Sequence, residues 1–182
     1  EFGPASPTPA GPVDRSRPEE PAEVGRDREV CLPVPVPLVQ IAWKDEPAGE
    51  NTSELVRSEL GASLLLDILF GKSSEFFSKA YEEGLVDEIS SSYEAWPDYA
   101  YSSVAAQTTR PEELAERVQE EVERLRKTGV REEDFARAKR ASTGRFYTLF
   151  DSFDTVGEMH VHLQDIGTDV YSYGRVLWDL EL

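Results

Sequence analysis

From Glu29 onward, apolar and polar positions organise the chain. Val30, Leu32, Val34 and Val36 alternate with other residues, the period-two pattern of one strand face. Past Pro37 the apolar positions move to Val39, Ile41 and Trp43, and such a one-residue phase change turns side chains to the other face of a sheet. Proline has no N–H to give to a ladder, so Pro37 predicts an edge, a bulge or a break between two strands. Glu46-Pro47-Ala48-Gly49-Glu50 reads as a loop. Asn51-Thr52-Ser53-Glu54 has the form of a capping box opening a helix. Val56, Leu60 and Leu64 give that helix one stripe. Leu55, Leu66 and Leu69 add apolar surface elsewhere, so it is expected to be buried on more than one side. Gly71 ends it.

Ser73 and Ser74 are placed to cap the next helix, which carries Phe76, Phe77, Ala80 and Tyr81 and stops at Gly84. Leu85 to Ala95 predicts a strand with Ile89, Ser91 and Tyr93 on one face. Trp96-Pro97-Asp98 predicts a turn, and Tyr99 to Gln107 the returning strand of a hairpin. Thr109-Arg110-Pro111-Glu112 reads as another capping box, followed by the stripe Leu114, Val118, Val122, Leu125 and the C-cap Gly129. A helix from about Arg131 carries Phe135, Ala138, Ser142 and Leu149. Asp154 is placed to cap another, with Val156, Met159, Leu163 and Ile166, and Tyr171 to Leu182 begins a last apolar helical segment. The order of strands, two helices, hairpin and further helices predicts an α+β fold, an antiparallel or mixed sheet with helices packed on one face. No internal repeat is visible.

Composition changes the picture at the N-terminus. Six of the twelve prolines fall within the first 21 residues, and residues 1–28 lack hydrophobic periodicity, so they read as a linker or disordered tail ahead of a domain spanning 29–182. The formal net charge of −17 repels phosphate backbones and anionic membranes. It predicts neither nucleic-acid nor membrane partners. The single cysteine, Cys31, allows no internal disulfide, which points to a cytoplasmic setting, and its apolar surroundings predict a buried thiol.

Candidate chemistry is sparse. The only histidines, His160 and His162, are two residues apart and diverge on a helix, so they do not share a metal readily. Glu158, His162 and Asp165 do fall on one face, but solvated polar faces are the commoner use of such a pattern. His160, next to Met159, reads as a packed or capped histidine. Ser73 and Ser74 have no histidine nearby in sequence, and Gly71-Lys72-Ser73 lacks the upstream glycine of a phosphate loop. Asp67, inside Leu64-Leu65-Leu66-Asp67-Ile68-Leu69-Phe70, predicts a buried carboxylate with a structural hydrogen bond to a loop or helix end.

The stretch from Leu64 through Asp67, Gly71, Ser73 and Ser74 to Phe77, then Tyr81-Glu82-Glu83-Gly84-Leu85-Val86-Asp87-Glu88, resembles the central signature of pitrilysin/insulinase-like zinc metallopeptidase domains. The likeness extends to the Val39-Gln40-Ile41-Ala42-Trp43 strand, the hairpin ending at Gln107, the Pro111-Glu112-Glu113-Leu114 helix and the segment from Gly129 to Arg140. Arg17-Pro18-Glu19-Glu20-Pro21 is similar to the interdomain linker of a bacterial YmfH-like branch. That family builds a clamshell from two domain types on the mitochondrial-processing-peptidase-like fold. One type carries an H-x-x-E-H zinc site. The other lacks it and closes the substrate chamber, and this sequence resembles the second type.

The resemblance implies a non-catalytic, C-terminal-type domain that docks to a zinc-bearing N-terminal-type half and encloses a peptide. It also implies truncation at the C-terminus, because the family's domain continues past a segment like Tyr171 to Leu182. Many members place an Arg and a Tyr seven residues apart on this half, reaching the substrate. Here Tyr81 and Asp87 stand near that position, so the pair is missing and Tyr81 is the one substrate-chamber candidate. No catalytic residue and no metal ligand is expected in this chain, and zinc is expected in the partner domain. The isolated chain is expected to be inactive. Two other readings stand beside this one: a structural subunit of the same fold without a proteolytic role, and a metal enzyme using Glu158, His162 and Asp165.

Overall fold

A computed structural model describes residues 27–47 and 51–182. The elements run β1 (Leu38–Asp45), α1 (Thr52–Phe70), α2 (Glu75–Glu82), β2 (Ile89–Ala95), β3 (Ala100–Gln107), α3 (Pro111–Thr128), α4 (Glu132–Thr148), a short 3-10 turn, α5 (Phe153–Asp165) and α6 (Val170–Asp179). The strands form one sheet in the order β1-β3-β2, with both pairings antiparallel.

Register sorts the sheet into two unlike faces. Ile41 pairs with Val104, which pairs in turn with Ser91, and Val39, Ala106 and Ile89 form the next row. That face holds the buried Ile89, Ala95, Ala100, Val104 and Ala106, with Val39, Ile41 and Trp43 packed in. The alternate residues Gln40, Lys44, Ser90, Ser92 and Glu94 are exposed. On this second face Ser103 is buried, with its Oγ 3.0 Å from Ser92 Oγ. Helices therefore cover one face only, as an α+β layer requires.

α1 lies between two apolar clusters. Leu55, Val56, Leu60 and Leu64 meet Leu163 of α5, Ile166 just past its end and Leu177 of α6. Leu66, Leu69 and Phe70 meet Leu85, Leu114 and Val118. This is why its apolar residues do not keep to a single stripe. Asn51 caps its start by accepting from the Glu54 amide. At its end Gly71 has an extended backbone with φ −64, so no left-handed turn demands glycine. A Cβ there would lie 2.4 Å from the Asp67 carbonyl oxygen, and close approach is the reason for the residue.

α2 ends in a Schellman motif. Gly84 takes φ 62, its amide donates to the Tyr81 carbonyl, and Leu85 donates to the Ala80 carbonyl at 2.8 Å. Leu85 and Val86 are buried in this turn, and β2 begins only at Ile89, four residues later than the pattern suggests.

Several expectations are corrected. Val30, Leu32 and Val34 belong to no strand and are exposed, because Pro33, Pro35 and Pro37 remove alternate ladder donors. Cys31 lies in this segment and is exposed rather than buried. Thr109 caps nothing: Arg110 occupies the N-cap position without a side-chain capping bond, and Thr108 Oγ1 accepts from the Arg110 amide at 3.0 Å. Pro111 at the first helical position needs no donor satisfied. Ser152, not Asp154, caps α5, since the helix already starts at Phe153. The linker expected over residues 1–28 and the Arg17–Pro21 phrase lie, but for Asp27 and Arg28, outside the described residues.

Candidate functional site

α2 turns Phe76, Phe77 and Ala80 toward the core, which leaves Tyr81 on the outer side. Tyr81 is exposed, and its ring stacks on Phe77 with centroids 5.9 Å apart. Asp87, in the turn leading to β2, is exposed as well. The serines that follow Gly71 are occupied structurally. Ser74 is buried and accepts from the Phe77 amide at 3.0 Å, while Ser73 receives the Arg137 guanidinium. Asp67 is partly exposed and pairs with Arg145 on α4, a guanidinium rather than the loop or helix end expected for it.

α5 separates the two histidines. His160 is exposed, contrary to its expected packing beside Met159. His162 turns inward: its Nε2 is 3.7 Å from Glu59 Oε2 on α1, and Trp96 meets its ring edge-on at 5.7 Å. Glu158, His162 and Asp165 line one wall of an open concavity of about 770 Å³ that Trp96 and Phe153 also border. They are not arranged as ligands, because His162 is directed at Glu59. Among the described residues no group of three His, Cys, Asp or Glu side chains is placed to hold a metal ion. Glu158, His162 and Asp165 thus share a concavity without forming a ligand cluster.

Sequence reasoning passed over Glu59. Its signal was a carboxylate between Val56 and Leu60 on a helix otherwise used for burial. Burial pushes the Glu59 carboxyl above its ordinary value; the neighbouring His162 offsets part of this and Glu94 adds to it. Close by, Tyr93 donates to Asp45 Oδ2 at 3.0 Å, and burial together with that carboxylate pushes the phenol up to about 12. Burial also raises the Tyr173 phenol on α6, and the charge of Glu59 contributes.

The described residues thus present a sheet with one bare polar face, an exposed tyrosine and no metal centre. Residues 3–142, more than half of the chain, match the family described as the peptidase M16 inactive domain. The chain belongs to this family. The M16 inactive domain seen here is 24% identical over 165 residues to the Uncharacterized zinc protease YmfH of Bacillus subtilis (strain 168), covering 90% of this chain and 38% of that protein. Its fold is similar to an M16-like peptidase from Alicyclobacillus acidocaldarius, with a TM-score of 0.74, 29% identity, and coverage of 82% of this chain and 36% of the other. It is also similar to the inactive peptidase domain of a zinc protease from Bordetella parapertussis, with a TM-score of 0.60, 13% identity, and 84% of each chain covered. The last likeness speaks for the fold alone. The chain spans well under half the length of the first two relatives. No helix among the described residues of this M16 inactive domain is long and apolar enough to cross a membrane.

Proposed function

We propose that this chain is the non-catalytic half of a zinc-dependent peptidase. It docks to a zinc-bearing half of the same family and encloses a peptide between the two. The observation that carries this reading is the asymmetry of the sheet. Helices cover one face, while the other offers Gln40, Lys44, Ser90, Ser92 and Glu94 to solvent. Small hydroxyls and a few charges make a hydrated wall, suited to retaining an extended peptide without gripping one sequence. The hydrolysis itself belongs to the partner, whose zinc would activate water.

Tyr81 is the substrate-chamber residue in this proposal. Its side chain is exposed, so its hydroxyl is available to a peptide carbonyl. No arginine stands seven residues from it, which favours enclosure over direct help to the reaction. The domain is taken to span 29–182, and a cytoplasmic setting accords with the lone exposed thiol of Cys31.

The test is reconstitution. The chain is mixed with a zinc-bearing half and an unstructured peptide, with each component omitted in turn. Hydrolysis is expected only with both halves present. Equal hydrolysis by the zinc-bearing half alone would favour a structural subunit with no proteolytic role. Tyr81→Phe is expected to raise KM with little change in kcat, because it removes a binding contact and no reacting group.

A further inference from the structure

Glu59 is poorly satisfied in this fold. Buried polar atoms are normally hydrogen-bonded. Glu59 Oε2 is closed off from solvent and has no hydrogen-bond partner among the described residues. His162 Nε2 stands 3.7 Å away, an ion-pair distance rather than a hydrogen bond. An imidazole attracts a carboxylate as an ion only when it carries both protons.

The remaining surroundings offer little help to an anion. From β2, Glu94 adds a like charge. Tyr93 of β2 donates its hydroxyl hydrogen bond to Asp45 of β1, and the Glu59 charge acts against ionising that phenol. Tyr173 of α6 is influenced in the same sense. On α4, Arg145 is engaged by Asp67. On α5 itself, Glu158 and Asp165 border the same concavity as His162. His162 is the one neighbour that favours the charged form of Glu59.

We propose that Glu59 and His162 form a proton-dependent latch between α1 and α5, tight when the pair holds a proton and loosened when it has lost it. With one proton the pair is neutral overall, as an ion pair or as two uncharged groups. Without it, a half-buried carboxylate, its Oε2 closed off from solvent, faces a neutral imidazole. The direction follows from linkage. A carboxyl held above its ordinary 4.5 by burial keeps its proton in the fold after the unfolded chain has released it. The contribution is therefore complete below that value and is lost as pH rises above it. Leu163 and Ile166 remain buried against α1, so α5 loosens without leaving.

The experiment follows thermal unfolding of the 182-residue chain from about pH 5 to about pH 8.5, with amide exchange read over Phe153–Asp165. The wild-type Tm is expected to fall across this range. Glu59→Gln is expected to remove at least half of that slope and to have the higher Tm at the alkaline end. Exchange in α5 is expected to accelerate with pH more than exchange in α3. A Glu59→Gln slope equal to wild type, or a lower Tm at the alkaline end, overturns the latch. If that variant does not fold, His162→Gln decides. A Tm loss larger in acid than in alkali supports the latch, and equal losses overturn it.

Discussion

The Asp67 carboxylate on α1 meets the Arg145 guanidinium on α4, joining two helices through residues 78 positions apart in sequence. Asp67 interrupts the most apolar run in the chain, yet the helix turns it outward between the two clusters that bury Leu64, Leu66, Leu69 and Phe70. The carboxylate keeps 32% of its side-chain surface exposed and the arginine 59%, so water screens the pair. Asp67→Asn or Arg145→Met is expected to cost about 0.5 kcal/mol, with a double-mutant coupling below about 1 kcal/mol. Denaturant unfolding measures both. A coupling above about 2 kcal/mol would mean that the pair is far drier than its exposure indicates.

The helix starts supply a sharper comparison. Ser74 is buried and accepts from the Phe77 amide, and Ser152 caps α5, whereas Asp154 lies one residue inside that helix. Ser74→Ala and Ser152→Ala are each expected to cost about 1 kcal/mol, Ser74 the more because its capped amide is better shielded. Asp154→Ala is expected to cost less than either, since it removes only a first-turn charge. If Asp154→Ala proves the most damaging of the three, the register of α5 is wrong.

What the sequence disclosed, and what it hid, follows from range. Caps, stripes and glycine stops are local, so α1, α2, α3 and the hairpin were legible from Asn51, Ser74, Gly84, Gly129 and the Ile89–Tyr93 alternation. No strand forms at Val30–Val36 despite the alternation, because Pro33, Pro35 and Pro37 cannot donate to a ladder. Phe146 escaped the α4 stripe, because its burial comes from Tyr173, Trp178 and Phe150 on other elements. Glu59 and His162 were separately visible, but 103 positions separate them, and only the docking of α5 on α1 brings them together. Tyr81 was found through a family likeness, not through any local pattern.

Phe146 also sets the tolerance of α6. A Cβ on Gly174 would lie 2.9 and 3.1 Å from two atoms of the Phe146 ring, which four other aromatic rings contact. Alanine in a helix interior ordinarily gains about 1 kcal/mol over glycine. Here the overpacking is expected to outweigh that gain, so Gly174→Ala lowers stability by about 1 kcal/mol net. Gly144, on α4 with open space around its Cβ position, is the control, and Gly144→Ala is expected to stabilise. Paired thermal melts measure both, and a stabilising Gly174→Ala would show that Phe146 moves freely.

The last prediction concerns metal. A hydrolytic zinc needs about three protein ligands and an open position for water. His160 is exposed and His162 faces Glu59 and Trp96, so the two imidazoles point to different surroundings. Cys31 lies in the exposed segment before β1. Carboxylates on so acidic a chain can hold divalent ions loosely at the surface, so trace metal decides nothing. Stability does decide, because a structural or catalytic ion bound only by the folded state raises Tm once its concentration exceeds its Kd. Chelation is expected to leave the Tm of the chain unchanged, and the chain alone is expected to cleave no unstructured peptide with zinc supplied. In the reconstituted pair, chelation is expected to abolish hydrolysis while His162→Ala leaves it intact, since the ligands reside in the other half. Chelator-sensitive hydrolysis by the isolated chain, lost on changing His162 to Ala, would sink the non-catalytic assignment and restore the metal-enzyme reading of Glu158, His162 and Asp165.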